Sequence, residues 1–201
     1  FLGPKETFWL NESGSSTPPS SCPWQVNVYS FDVSLSDNSV IYCGTETGFV
    51  NKTTNKGLSW QLSGQNYPFG GAVTAVAIHP LNADLVYVAA GNQIHKTSDG
   101  GATWVPLLPV GNLFSADRLK IDQVNPLKIY AAGNSGVYMT ADGGANWTSK
   151  WTFPAYDIDI KPDDNSQVYA LTKSGGKFSV IMSQDGGGTF QAMTGFPNNV
   201  T

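Results

Sequence analysis

One eight-residue pattern recurs four times along this chain, and no other feature restricts its fold as strongly. The octets TTNKGLSW (53–60), TSDGGATW (97–104), TADGGANW (140–147) and SQDGGGTF (183–190) begin 44, 43 and 43 residues apart. One template fits all four: Ser or Thr, any residue, Asp or Asn, any residue, Gly, any residue, a small polar residue, then an aromatic. Upstream of each lies a second shared stretch: FDVSLSDNSVIYCG, VAIHPLNADLVYVAAG, LKIDQVNPLKIYAAG and IDIKPDDNSQVYAL. It reads as strand, polar turn and strand, with Tyr42, Tyr87, Tyr130 and Tyr169 in one register. A fixed period of this length marks a repeat architecture, in which one unit cannot bury its apolar faces alone.

Within the second unit, 73–79 alternates around Val76 and Ile78, 85–90 follows a turn at 80–84, 93–97 forms a third strand and 104–108 a fourth. The fourth unit offsets a shorter front end with the longer hairpin KSGGK. Four antiparallel strands per roughly 40 to 50 residues predict an all-β fold, a β-propeller built of such blades. The blades are expected at 25–69, 70–113, 114–152 and 153–191, after a lead or linker at 1–24 and before a tail or further blade at 192–201.

The octet residues have a physical task. The hydroxyls of Thr53, Thr97, Thr140 and Ser183, with the Asn55, Asp99, Asp142 and Asp185 side chains, are placed to accept from N–H groups in the turn joining the third and fourth strands. Gly57, Gly101, Gly144 and Gly187 predict a backbone angle that a Cβ disfavours. Trp60, Trp104, Trp147 and Phe190 then open the outer strand and pack inward between blades.

These octets resemble the Asp-box of BNR repeats, known from sialidases, xyloglucan-cleaving glycoside hydrolases, sortilin-type receptor propellers and photosystem assembly propellers. The stretch GFVNKTTNKGLSW and the FLGP opening resemble large secreted or surface BNR proteins of Bacteroidota. The resemblance covers residues 25 to 191. It implies that the boxes are structural, at the outer edge of each blade and away from the ligand-binding axis, and that the protein is secreted or at the cell surface. A shared fold carries little about function.

Composition excludes several classes. Aromatics at 12% argue against disorder. A net charge of -4 and a single arginine, Arg118, argue against nucleic acid as a partner, which needs clustered Lys and Arg. No apolar stretch reaches the roughly 18 to 20 residues of a membrane span. The opening FLGPKETFWL lacks an initiating Met and a basic-then-apolar leader, which suggests a mature or excised segment. Cys22 and Cys43 allow one disulfide or none. The sequons at Asn11, Asn51, Asn146 and Asn199 are of a kind that an Asn-rich and Thr-rich chain produces by chance.

Propellers close with about four to eight blades, and an arc of four would expose apolar faces at both ends. The natural protein is therefore expected to be longer, with those faces meeting further blades or partner chains. A stable, well-dispersed monomer would contradict an incomplete ring.

Ligands of a propeller bind where loops lead into the innermost strands. At the channel, Arg118 and Lys120 on one blade are expected to pair with Asp157 or Asp159 on the next; Asp117, Asp157 and Asp159 are candidates for a glycosidase acid and base, with nothing in the sequence that selects a pair. Sialidase chemistry needs three arginines to grip a carboxylate, and one cannot supply them. Tyr67, Phe69, Phe114, Phe153 and Tyr156 are positioned either to stack on a ligand or to cap the core. Phe69, Phe114, Tyr67, Tyr156 and Arg118 are the ligand-face candidates. His79 and His95 lie far apart in the repeat frame and imply no shared metal or nucleophile; Asp163, Asp164 and Asn165 fit a side-chain turn better than a calcium site. No cofactor is implied. The sequence points to a recognition or scaffold module, binding protein or glycan, with part of a xyloglucanase-type glycoside hydrolase as the alternative.

Overall fold

The alternation around each shared tyrosine demands strands with one face toward each neighbouring unit, and a computed structural model shows how they are arranged. The structure describes residues 27–65, 67–107 and 114–195, together with the backbone pairing of β1 (Trp9–Leu10) and β2 (Ser16–Thr17). Cys22, Asn11 and Asn199 lie outside the described residues. The β1–β2 ladder falls within the stretch read as lead and linker.

All the described elements are strands. β3 (Val28–Val33), β4 (Ile41–Thr45), β5 (Val50–Thr53) and β6 (Gln61–Ser63) form the first blade. β7 (Val73–His79), β8 (Asn82–Ala90), β9 (Gln93–Thr97) and β10 (Val105–Pro106) form the second. β11 (Ala116–Ile121), β12 (Ile129–Gly133), β13 (Gly136–Thr140) and β14 (Thr148–Trp151) form the third. β15 (Ala155–Ile160), β16 (Val168–Ser174), β17 (Lys177–Ser183) and β18 (Gln191–Ala192) form the fourth. Each sheet is an antiparallel meander in chain order. The first strands β3, β7, β11 and β15 touch one another in succession, so they line a common axis and the fourth strands lie outermost.

The tyrosines hold one register: Tyr42 faces Asp32, Tyr87 faces Ala77, Tyr130 faces Lys120 and Tyr169 faces Asp159. A bulge interrupts every first strand at the same place, at 28–30, 73–75, 116–118 and 155–157. Such a bulge adds local twist and re-aims the side chains beyond it.

The second unit departs from the sequence reading at two points. β8 begins at Asn82, not 85, because His79 pairs with Asn82 and the Asn82 side chain accepts from Asp84 N; the expected turn at 80–84 shrinks to Pro80 and Leu81. The outer strand is only Val105–Pro106, since Trp104 is turned inward and Pro106 has no N–H to give. In the fourth unit Ser174 pairs with Lys177 around Gly175 and Gly176, both at positive φ as a tight hairpin turn requires.

Each octet closes on itself in the same way. The hydroxyl of Thr53, Thr97, Thr140 or Ser183 accepts from the glycine N–H four residues on, at 3.0, 2.9, 3.1 and 2.8 Å, and donates to Asn55, Asp99, Asp142 or Asp185 at 2.8, 2.8, 2.6 and 2.7 Å. The acidic or amide oxygen also accepts a backbone N–H four residues on, at 2.9 Å in every repeat. These bonds favour the ionised acid. Bonds from Thr103 and Thr97 hold Asp99 down to about 2, those from Thr140 and Asn146 do the same for Asp142, and Thr189 N with Ser183 lowers Asp185 further.

Three apolar junctions bury the faces between blades. Trp104 seals the first, its Nε1 donating to Ser63 of the preceding blade at 3.2 Å; Trp147 and Phe190 pack at the second and third. Tyr87 and Tyr130 reach across, donating to Gly143 O at 3.1 Å and Gly186 O at 2.8 Å in the next octet. Burial pushes both phenols up to about 12. Gly187 shows why its position carries no side chain: φ is 82°, and a Cβ would collide with the Tyr130 ring.

Candidate functional site

The innermost strands of all four blades line one groove of about 500 Å³ along the axis. The repeat places Ser30 and Asp32, Ala75 and Ala77, Arg118 and Lys120, and Asp157 and Asp159 at matching positions of these strands. Arg118 Nε lies 3.4 Å from Asp157 Oδ1, and Lys120 Nζ lies 2.9 Å from Asp159 Oδ1. Both pairs join the third blade to the fourth. All four side chains keep more than two fifths of their surface in solvent, so each pair contributes at most about 1 kcal/mol and mainly sets where charge is presented.

The other junctions are clamped by polar contacts that no local pattern foretold. Asp32 Oδ2 accepts from Ile78 N at 2.8 Å, Ser30 Oγ donates to Val73 O at 3.1 Å, and Thr74 Oγ1 donates to Ala116 O at 2.5 Å. Burial raises the Asp32 carboxyl, against the opposing pull of the Ile78 and Val33 amides. Asp32 holds the same place beside the shared tyrosine as Lys120 and Asp159.

The remaining candidates are scattered. Asp117 sits at the third-blade bulge, outside the groove lining, and burial raises its carboxyl. Phe69 and Phe114 are core residues, at 4% and 2% exposure, because the loops before β7 and β11 fold their aromatics into the junctions. They present nothing to a ligand. Tyr67 is half-buried, its hydroxyl 2.9 Å from His95 Nδ1, in an aromatic cage with Phe69 and Trp104. Tyr156 is exposed against Phe178, and Phe153 is exposed beside Trp151.

His95 is buried, and desolvation lowers its pKa against the opposing pull of the Phe69 and Ala90 backbone. His79 instead accepts from Leu81 N in a turn. Asp164 accepts from Ser166 and Gln167, while Asn165 donates to the fully buried Asp122 of the third blade, at 3.3 and 3.0 Å to its two oxygens. This cluster therefore shapes a turn and joins two blades. Cys43 is a buried thiol whose pKa burial raises to about 11.

No family model and no curated protein matches the chain. Solved structures do. An ancestral GH74 enzyme superposes with a TM-score of 0.70 at 20% identity, over 87% of this chain and 26% of its own. The GH74 enzyme of Niastella koreensis gives 0.68 at 23% identity, over 81% and 28%. A YCF48 structure bound to a D1 peptide gives 0.50 at 14% identity, over 86% and 83%. The chain has the β-propeller fold. It spans about a quarter of the length of these two GH74 structures, and identities this low speak for the fold alone.

Proposed function

We propose that this chain is a non-catalytic recognition and scaffold module of a larger exported or cell-surface protein, and that its octets are Asp-boxes of the BNR class. Its ligand is a polypeptide segment laid in the axial groove, and its open end faces meet other blades or partner chains. One observation carries the reading: all three carboxylates lining the groove are engaged by a neighbouring blade, Asp157 and Asp159 by cations and Asp32 by the Ile78 amide. Paired charges of both signs, two residues apart along adjacent strands, suit the alternating donors and acceptors of a peptide backbone and its side chains. The burial of Phe69 and Phe114 removes two of the aromatic platforms that sugar binding would use. A similar propeller, YCF48, is known bound to a peptide.

The likeness to GH74 enzymes favours a second reading, a portion of a xyloglucanase-type glycoside hydrolase. Selection of a random peptide library on the intact chain, beside a panel of soluble β-glucans, separates the two. Peptides lost on Arg118→Glu or Lys120→Glu, with no sugar released, support recognition. Glucan cleavage abolished by Asp157→Ala, with no peptide enriched, would replace it with the enzyme.

A further inference from the structure

The first strand of each blade is paired along one edge only and turns its other edge to the axis. Which amides point there follows from the hairpins. Ser34, Asp122 and Lys161 donate across the first turn to the carbonyls of Val40, Lys128 and Gln167. Along an antiparallel strand successive residues then alternate between the two edges. The residues that turn N–H and C=O to the axis are therefore Phe31 and Val33 of β3, Leu119 and Ile121 of β11, and Ile158 and Ile160 of β15. Val76 and Ile78 hold the same register in β7.

An open edge is a template for a further strand, and three of the four blades blunt it with aspartate. Asp32 Oδ1 accepts from Val33 N at 2.9 Å, while its Oδ2 accepts from Ile78 N of the next blade at 2.8 Å. Asp157 accepts from Ile158 N at 3.0 Å and Asp159 from Ile160 N at 2.8 Å. These bonds close one amide on β3, one on β7 and both on β15. On β11 the residues before Leu119 and Ile121 are Arg118 and Lys120, and a cation has no acceptor to offer. Asp157 and Asp159 draw both cations toward the fourth blade and neutralise the charge with which a lysine ordinarily guards an edge. Among the described residues no side chain accepts from Leu119 N or Ile121 N. Both residues bury their side chains in the second junction yet line the groove, so it is their backbone that faces the open space.

We infer that the axial groove holds its polypeptide as an added strand on the axis-facing edge of β11, bonded main chain to main chain at Leu119 and Ile121. Two N–H and two C=O groups lie there on alternate residues, about 6.8 Å apart along the strand, the spacing of alternate residues in an extended segment. Main-chain bonds of this kind supply affinity, and alternate side chains supply selectivity. The ligand residue between the two bonded ones turns its side chain to the Arg118 and Lys120 side of the sheet, where the two ion pairs meet it. The inference rests on the peptide reading proposed above and is independent of what covers the outer faces of the first and fourth blades.

Lys120→Asn and Lys120→Ala both remove an exposed cation, and both should keep the native circular dichroism. Only asparagine carries a short side-chain oxygen that can cap Ile121 N as Asp159 caps Ile160 N. For peptides selected from a random library on the intact chain, Lys120→Asn should weaken binding about tenfold more than Lys120→Ala, the worth of one or two main-chain bonds. N-methylation scanned along a selected peptide should abolish binding at every second residue and spare the residues between. In the free chain the Leu119 and Ile121 amides should exchange with solvent about tenfold faster than those of Ile158 and Ile160, and bound peptide should slow them. Equal effects of the two variants, a methylation profile without alternation, or exchange at Leu119 and Ile121 that bound peptide leaves unchanged overturns the added strand while peptide recognition stands. A library that enriches no peptide removes the ligand and the added strand together.

Discussion

Replacing Thr140 by Val tests the octet clasp with the shape of the side chain kept. The Thr140 hydroxyl is 1% exposed, accepts from Gly144 N at 3.1 Å and donates to Asp142 at 2.6 Å. Asp142 lies at the surface, where water replaces the lost donor. Gly144 is buried, so its N–H is left without an acceptor, at a cost of about 1–3 kcal/mol. For a domain of this size each kcal/mol moves the midpoint by about 2–4 °C, so Thr140→Val should melt roughly 4–8 °C lower. Urea unfolding followed by tryptophan fluorescence should show the same loss with an unchanged m-value, as expected if the array still unfolds as one unit. Thr148→Val is the control: its hydroxyl bonds Met139 O at the exposed outer edge, and its loss should cost less than about 0.5 kcal/mol. Equal effects for the two variants would refute the view that the octets hold the blades together.

Two further outcomes are expected. Lys56→Gly removes a Cβ from a left-handed position that costs a side chain about 1–2 kcal/mol, against about 0.4–1 kcal/mol of added unfolded-state freedom; denaturant titration should show a net gain of about 0.5–1 kcal/mol, and a loss would show that the Lys56 side chain matters for packing. His95 has its pKa lowered by burial, so the unfolded chain takes up a proton that the native state resists. Stability from this group is complete above its unfolded value of 6.5 and falls as pH drops below it, toward the lower native value. The wild type should therefore lose more stability between pH 7.5 and 5 than His95→Gln, and parallel curves would discount the buried histidine.

Much of the fold was legible because its determinants are local. Thr140, Asp142, Gly144 and Asn146 bond to one another within seven residues, so the octet announces its own turn wherever it occurs. The site was legible only in part. Arg118, Lys120, Asp157 and Asp159 could be named as facing rows from the period alone, but the clamp from Asp32 to Ile78 spans 46 residues and depends on how one sheet seats on the next. The bulges at 28–30 and 116–118 carry no residue signature, since any side chain tolerates them. The same holds for Phe69 and Phe114, whose loops gave no sign of whether they point to solvent or core.

By itself the sequence determined the four strands of each blade, the octet turns and the repeat register, because those follow from hydrogen bonds and alternation inside one 43-residue unit. Tertiary structure alone decided which charges meet across the groove and which aromatics are lost to the core. Those outcomes depend on the fit of one blade against another, and contacts between sheets are set by packing over distances that no local pattern encodes.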